Sequence, residues 1–139
     1  MARVAGSKST RWKYYQPNKK DLKDEIGDCS IRAFTKALEW EWLRVFDELV
    51  PYAREAQCML NQKPCCDKFL FDNGWRYVSQ GKIKCTVQEF AKEHRNGAYI
   101  LYVRAGFGTH LVTVKDGYFY DTWDSGNKFL YGYWIKGEQ

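Results

Sequence analysis

Gly108-Thr109-His110-Leu111-Val112-Thr113-Val114-Lys115-Asp116-Gly117-Tyr118-Phe119-Tyr120-Asp121-Thr122-Trp123 is the stretch whose reading decides the fold. Thr109 to Lys115 is rich in β-branched residues and reads as a strand. Asp116-Gly117 is a two-residue hairpin turn, because both of its positions tolerate positive φ, and Tyr118 to Trp123 returns as the partner strand. With that turn, Lys115 faces Tyr118, Val114 faces Phe119, Val112 faces Asp121 and His110 faces Trp123. Side chains alternate with period two, so His110, Val112 and Val114 share a face with Phe119, Asp121 and Trp123. Asp121 is then diagonal to His110, a backbone separation of ~7–8 Å that two side chains can close.

Working outward, Ala98 to Arg104 is a preceding strand joined through Gly106-Phe107-Gly108, and Phe129 to Ile135 is a further one. Upstream the period changes. Between Cys29 and about Trp40, Ile31, Phe34, Ala37 and Leu38 fall on one helical face, and Asp28 is placed to cap the first turn. Trp42, Val45, Phe46, Leu49 and Val50 form a second helical stripe, which Pro51 either ends or restarts through Cys58. Pro64 opens a short helix carrying Cys65, Phe69 and Leu70, with Gly74 at its C-terminal cap. Trp75 to Val78 is a short strand. Thr86-Val87-Gln88-Glu89 fits a capping box and opens a helix to about His94. Helices first and an antiparallel sheet second is an α+β order.

The chain has 139 residues, 45% hydrophobic and 28% charged, which fits one globular domain and excludes wholesale disorder. No apolar run approaches the ~20 residues of a membrane span, and the first residues lack a signal-peptide apolar stretch. A cytoplasmic protein is expected. The net charge of +5 is uneven: residues 1–20 hold Arg3, Lys8, Arg11, Lys13, Lys19 and Lys20 with no acid. The expected organisation is therefore a basic, flexible arm over 1–20 and a single domain over 21–139. Such an arm can engage nucleic-acid phosphates, with Trp12, Tyr14 and Tyr15 stacking on bases, although anchoring of these aromatics to the domain is the favoured reading.

Five cysteines occur without a CxxC pair, an odd count that argues against a disulfide framework. Cys58, Cys65, Cys66, Cys85 and His94 lack the close ligand pairs usual for structural zinc, so no metal and no cofactor is expected. Cys29 stands apart because it begins a helix, where the partial positive charge stabilises a thiolate. His110 supplies a base and Asp121 a carboxylate to orient it, which completes a nucleophile, base and orienter in that order. Asp124, an odd number of residues from Asp121, is a rival orienter that should face away.

These residues resemble the papain-like cysteine peptidases. In that superfamily a catalytic Cys opens the central helix, here Cys29-Ser30-Ile31-Arg32-Ala33-Phe34, and the His comes from the later β-part. Asp121-Thr122-Trp123-Asp124 is similar to the family's Asn-Ser-Trp-Gly stretch. The Asp28-Cys29 dipeptide and the short hairpin between His and Asp are closer to the peptidases that mature bacteriocins on ABC transporters. The combination of Asp-Cys, Gly-x-His and Asp-Thr-Trp-Asp also resembles small uncharacterised proteins of phages and Gram-positive bacteria; for a phage protein, the host cytoplasm is implied. The resemblance implies a papain-like fold, with N-terminal helices packed on a C-terminal antiparallel sheet, and Trp123 as a shield over the His–Asp bond. It also implies an oxyanion-hole Gln about six residues before the Cys. Lys23 occupies that place here, and Gln16 lies further upstream as the other candidate.

The expected activity is thiol hydrolysis of a peptide, isopeptide or other amide bond in a protein or peptide substrate, through an acyl-enzyme. Trp42, Trp75, Phe107 and Trp123 are candidate cleft walls. The alternative is a non-enzymatic binder on the same scaffold, contacting nucleic acid or a host protein through the basic arm and aromatic surface, with no membrane partner.

Overall fold

The computed structural model describes residues 8–106 and 108–137. Phe107 and residues 1–7, the first part of the expected arm, lie outside the described residues. In chain order the elements are β1 (Trp12–Tyr14), α1 (Cys29–Leu38), α2 (Trp42–Ala56), α3 (Lys63–Asp72), β2 (Trp75–Ser79), α4 (Val87–Glu93), β3 (Ala98–Ala105), β4 (Gly108–Lys115), β5 (Tyr118–Asp121) and β6 (Leu130–Lys136). The class is α+β, with four helices among the described residues and a six-stranded mixed sheet in the order β1-β5-β4-β3-β6-β2.

The Asp116-Gly117 turn has φ 50° and 88°, so both central residues are left-handed as a tight hairpin requires. Its register pairs Lys115 with Tyr118, Val114 with Phe119 and Thr113 with Tyr120. β5 then stops at Asp121, two residues short of the expected strand. Asp121 turns its carboxylate back onto the Thr122 N–H at 2.8 Å, and Asp124 accepts from the Gly126 N–H at 3.0 Å. These local bonds compete with the ladder, so His110 and Trp123 do not pair as strand neighbours.

Alternation along the strands divides two cores. Ile100, Leu111 and Trp134 pack with Ile31 and Phe34 of α1, Val45 and Leu49 of α2, and Phe69 and Leu70 of α3. Leu101, Val103, Val112, Val114 and Phe119 pack on the other side with Val87, Phe90 and Ala91 of α4. The expected capping box opens α4: the Thr86 hydroxyl accepts from the Glu89 N–H, and the Glu89 carboxylate accepts from the Thr86 N–H.

Three expectations are corrected. Pro51 neither ends nor restarts a helix; it lies within α2, on an exposed position where water can serve the carbonyl it leaves free. Asp28 precedes α1 but makes no side-chain cap, because its carboxylate is engaged elsewhere. The expected arm over 1–20 contains a strand among its described residues: β1 joins the sheet parallel to β5, pairing Trp12 with Phe119 and Tyr14 with Asp121. The sheet is therefore mixed rather than antiparallel, and the later part of the arm belongs to it.

Candidate active site

Cys29 is the first residue of α1, half-buried at the floor of a cleft of about 860 Å³. That volume is in the range of small-molecule and peptide-binding pockets. His110, Arg32, Trp123, Tyr102 and Trp134 also line it. The β4–β5 ladder ends at Thr113 and Tyr120, and beyond it Cys29 meets His110 and Arg32 meets Asp121. His110 comes from β4, Asp121 from the end of β5.

His110 Nε2 lies 2.7 Å from Asp121 Oδ2, with both side chains almost fully buried. The ring is also hydrogen-bonded to the Cys29 thiol, for which Nδ1 is the nitrogen left. Burial alone pushes the Cys29 thiol up. His110 opposes it by hydrogen bond and charge, the backbone N–H of Leu111 and the Arg32 guanidinium add to that, and the thiol is held below its ordinary range. Burial pulls the His110 imidazole down. The Asp121 carboxylate and the Cys29 thiolate outweigh that and bring it up to about 9. Each partner stabilises the charged form of the other, the condition for a thiolate–imidazolium pair.

Asp121 is held from four directions. Oδ2 also accepts from the Ser125 hydroxyl at 2.7 Å, and Oδ1 accepts from the Thr122 N–H at 2.8 Å and from Arg32 Nη2 at 3.3 Å. Its backbone carbonyl accepts from the Trp12 indole at 3.1 Å and from the Tyr15 N–H at 3.0 Å. The Trp12 indole and the Tyr15 backbone thus anchor the arm at Asp121, while Tyr14 is exposed and bonds Asp24. Trp123 reaches His110 from the loop after β5, with ring centroids 4.9 Å apart.

Arg32 and Ser125 are site residues that sequence reasoning missed. Arg32 is buried, and its Nη1 donates to Asp28 Oδ1 at 2.6 Å. Asp28 Oδ2 accepts from the Trp42 indole at 2.9 Å. The i,i+4 spacing of Asp28 and Arg32 was the available signal, but such pairs are usually solvated. Asp124, the rival orienter, accepts from the N–H and hydroxyl of Ser9 at 2.7 and 2.8 Å.

Both expected oxyanion donors are displaced. The Gln16 amide donates to Asp24 at 2.9 Å and Asp21 at 3.3 Å, and Lys23 is exposed on the loop before α1; neither lines the cleft. Among the expected cleft walls, Trp123 lines the cleft, whereas Trp42 stacks on Phe46 and Trp75 is buried in the helical-side core. Of the other cysteines, Cys65 is also held down, by its hydrogen bond with Cys66, whereas Cys66 and Cys85 shift the opposite way. Cys66 is pushed up by a hydrogen bond to Cys65 and by burial, and burial first, then Glu89 and Glu93, carry Cys85 to about 11. Cys85 and His94 pack on the α4 side, whereas Cys58, Cys65 and Cys66 pack on the other. No group of three or more His, Cys, Asp or Glu side chains among the described residues is arranged to hold a metal ion. No helix among them is long and apolar enough to cross a membrane.

No family model matches this chain, and neither a curated protein nor a solved structure does.

Proposed function

We propose that this chain is a thiol hydrolase of papain-like type, acting on an amide, peptide or isopeptide bond through an acyl-enzyme. The observation that carries the reading is the single imidazole of His110 bridging the Cys29 thiol and the buried Asp121 carboxylate. His110 accepts the thiol proton. The Cys29 thiolate then attacks the substrate carbonyl carbon, and the carbonyl π-electrons move to oxygen. The imidazolium next gives its proton to the leaving amine as the C–N bond breaks, which leaves a thioester on Cys29. Water, deprotonated by His110, attacks that thioester and releases the acid and the thiol.

The oxyanion forms beside the start of α1, where the first N–H groups lack a side-chain cap. The Cys29 N–H is one donor on this reading, favoured by the helix dipole. Asn61 is the other: it lines the same cleft, and its Nδ2 makes a long 3.5 Å contact with the carbonyl of Gly27, two residues before the nucleophile.

The test is the pH dependence of iodoacetamide alkylation at Cys29, followed by peptide mass spectrometry against the other four cysteines. Cys29 should react well below pH 7 in the wild type and lose that low-pH reactivity in His110→Ala. A Cys29 that titrates like an ordinary thiol of pKa ~8.5 in both proteins overturns the assignment.

A further inference from the structure

The edge of the sheet formed by β1 and β5 carries a cluster of cations that the thiol site does not use. Lys13 lies over the Tyr118 ring at 4.2 Å, and Arg11 approaches the same ring at 5.1 Å. Lys36, from the last turn of α1, lies over Tyr120 at 4.0 Å and Tyr15 at 5.3 Å. Tyr118 and Tyr120 are two residues apart on β5 and so share a face. Lys115 adds a fourth cation, paired with Glu39 at 2.9 Å. Arg11, Lys13 and Lys36 have no carboxylate within ion-pair distance among the described residues. The Lys36 ammonium also sits low, first from burial and then from the like charge of Lys115, with Lys13 adding to it and the Glu39 and Asp116 carboxylates opposing it.

Three like charges are thus gathered on one face and held against ring faces, with no carboxylate in ion-pair contact among the described residues. Ring faces leave the cationic heads formally uncompensated, so the surface retains its positive potential. Arg11 is the turn residue just before β1 and Lys13 is the middle residue of that strand. An anionic membrane would reward apolar groups projecting beside the charge. Here the Tyr118 and Tyr120 rings already carry cations, and the most exposed aliphatic side chains, Leu22, Ile83, Met59 and Leu43, lie elsewhere in the chain; Tyr14, the exposed ring on β1, bonds Asp24 through its hydroxyl. A partner with evenly repeated charge and flat rings fits better.

We propose that this face, built from Arg11, Lys13 and Lys36 over Tyr118 and Tyr120, binds the backbone of single-stranded nucleic acid. Phosphates meet the three cationic heads, and a base stacks on the Arg11 guanidinium plane. The inference goes beyond the hydrolase reading and does not depend on it: Lys36 is seven residues along α1 from Cys29, at the opposite end of the helix.

The test is fluorescence anisotropy of the full chain with a labelled oligothymidylate of about 16 nucleotides. Three phosphate contacts predict a log–log salt slope of about −2 from this face, or an affinity loss of roughly 20-fold between about 50 and 200 mM salt. The triple variant Arg11→Gln/Lys13→Gln/Lys36→Gln should flatten the slope by about 2, whereas Lys82→Gln/Lys84→Gln/Lys92→Gln should bind as wild type. Unchanged Cys29 alkylation in both variants shows that the fold is kept. Three results overturn the proposal: no binding at low salt, equal losses in the two variants, or binding to phosphatidylserine vesicles without binding to the oligonucleotide.

Discussion

Replacing Arg32 by Met removes the cation that joins two buried carboxylates. Asp28, Arg32 and Asp121 are 4%, 6% and 1% exposed, so none of the three can recover its partner from bulk water. Asp28 Oδ1 loses a 2.6 Å ion pair and keeps only the Trp42 contact on its other oxygen. Asp121 loses the longer 3.3 Å contact and keeps Thr122, Ser125 and His110. Breaking one side of a buried pair costs ~3–5 kcal/mol. Because Asp121 stays well bonded, the damage falls mainly on Asp28, and a loss of about 3 kcal/mol is expected. That is a large share of a stability of ~5–15 kcal/mol. Adding Asp28→Asn to Arg32→Met removes the stranded charge and retains an acceptor for Trp42, so the double variant should recover most of the loss. Urea denaturation followed by tryptophan fluorescence measures both, with an unchanged m-value confirming that the transition remains comparable. If Arg32→Met costs less than about 1 kcal/mol, or if the double variant is no more stable than the single, the buried ion network does not stabilise the fold as argued.

The remaining predictions concern the reacting groups. His110 is raised from its ordinary 6.5 to about 9, so its contribution to stability is complete below pH 6.5 and is lost as pH rises through about 9. That shift corresponds to roughly 3 kcal/mol for the buried ring. Cys29, being lowered, contributes in the opposite sense, and Cys29→Ser removes both that contribution and the thiolate's share in raising the imidazole: the urea midpoint should still fall above pH 6.5, through the Asp121 pairing, but be fully lost before about 9, and Cys29→Ser/His110→Gln should remove that fall. An equal fall in the double variant would assign the pH dependence to other groups. Asn61→Ala should slow acylation by p-nitrophenyl acetate by ~10²–10³-fold, yet leave iodoacetamide alkylation unchanged, since displacement of iodide passes through no oxyanion. A proportional loss in both reactions would mean that Asn61 acts on the thiol and not on the oxyanion.

The hairpin was legible because Asp116-Gly117 sets its register locally, whereas the ladder stops at Thr113 and Tyr120 and the His110–Asp121 contact forms beyond it. Cys29 was legible from its place ahead of the apolar stripe of α1. What escaped notice depended on partners distant in the chain. Trp12-Lys13-Tyr14 has no turn beside it and pairs in parallel with residues more than a hundred positions later, so nothing local marks it as a strand. Arg32 reads as a solvated helical arginine until two carboxylates, one from β5, are found to enclose it. The early end of β5 follows from side-chain bonds to the backbone at Asp121 and Asp124, which no alternation of residue types reveals. Gln16 was a plausible upstream amide by residue type alone, but its loop supplies two nearer acceptors in Asp21 and Asp24.

The parallel pairing of β1 with β5 also has a consequence for synthesis on the ribosome. Cys29 emerges before its partners, but the Asp121 backbone carbonyl is clasped by Trp12 and Tyr15, and the Asp121 carboxylate that meets His110 is braced by Ser125. The nascent chain must hold its first segment available until more than a hundred further residues have been made. The Ser9–Asp124 bonds, 115 positions apart in sequence, then close the loop. Closure of so long a loop is entropically costly and comes late in folding. On the proposed reading, the Cys29 thiol therefore remains unarmed while the growing chain lies beside it, and meets His110 and Asp121 only after β4 and β5 have left the exit tunnel.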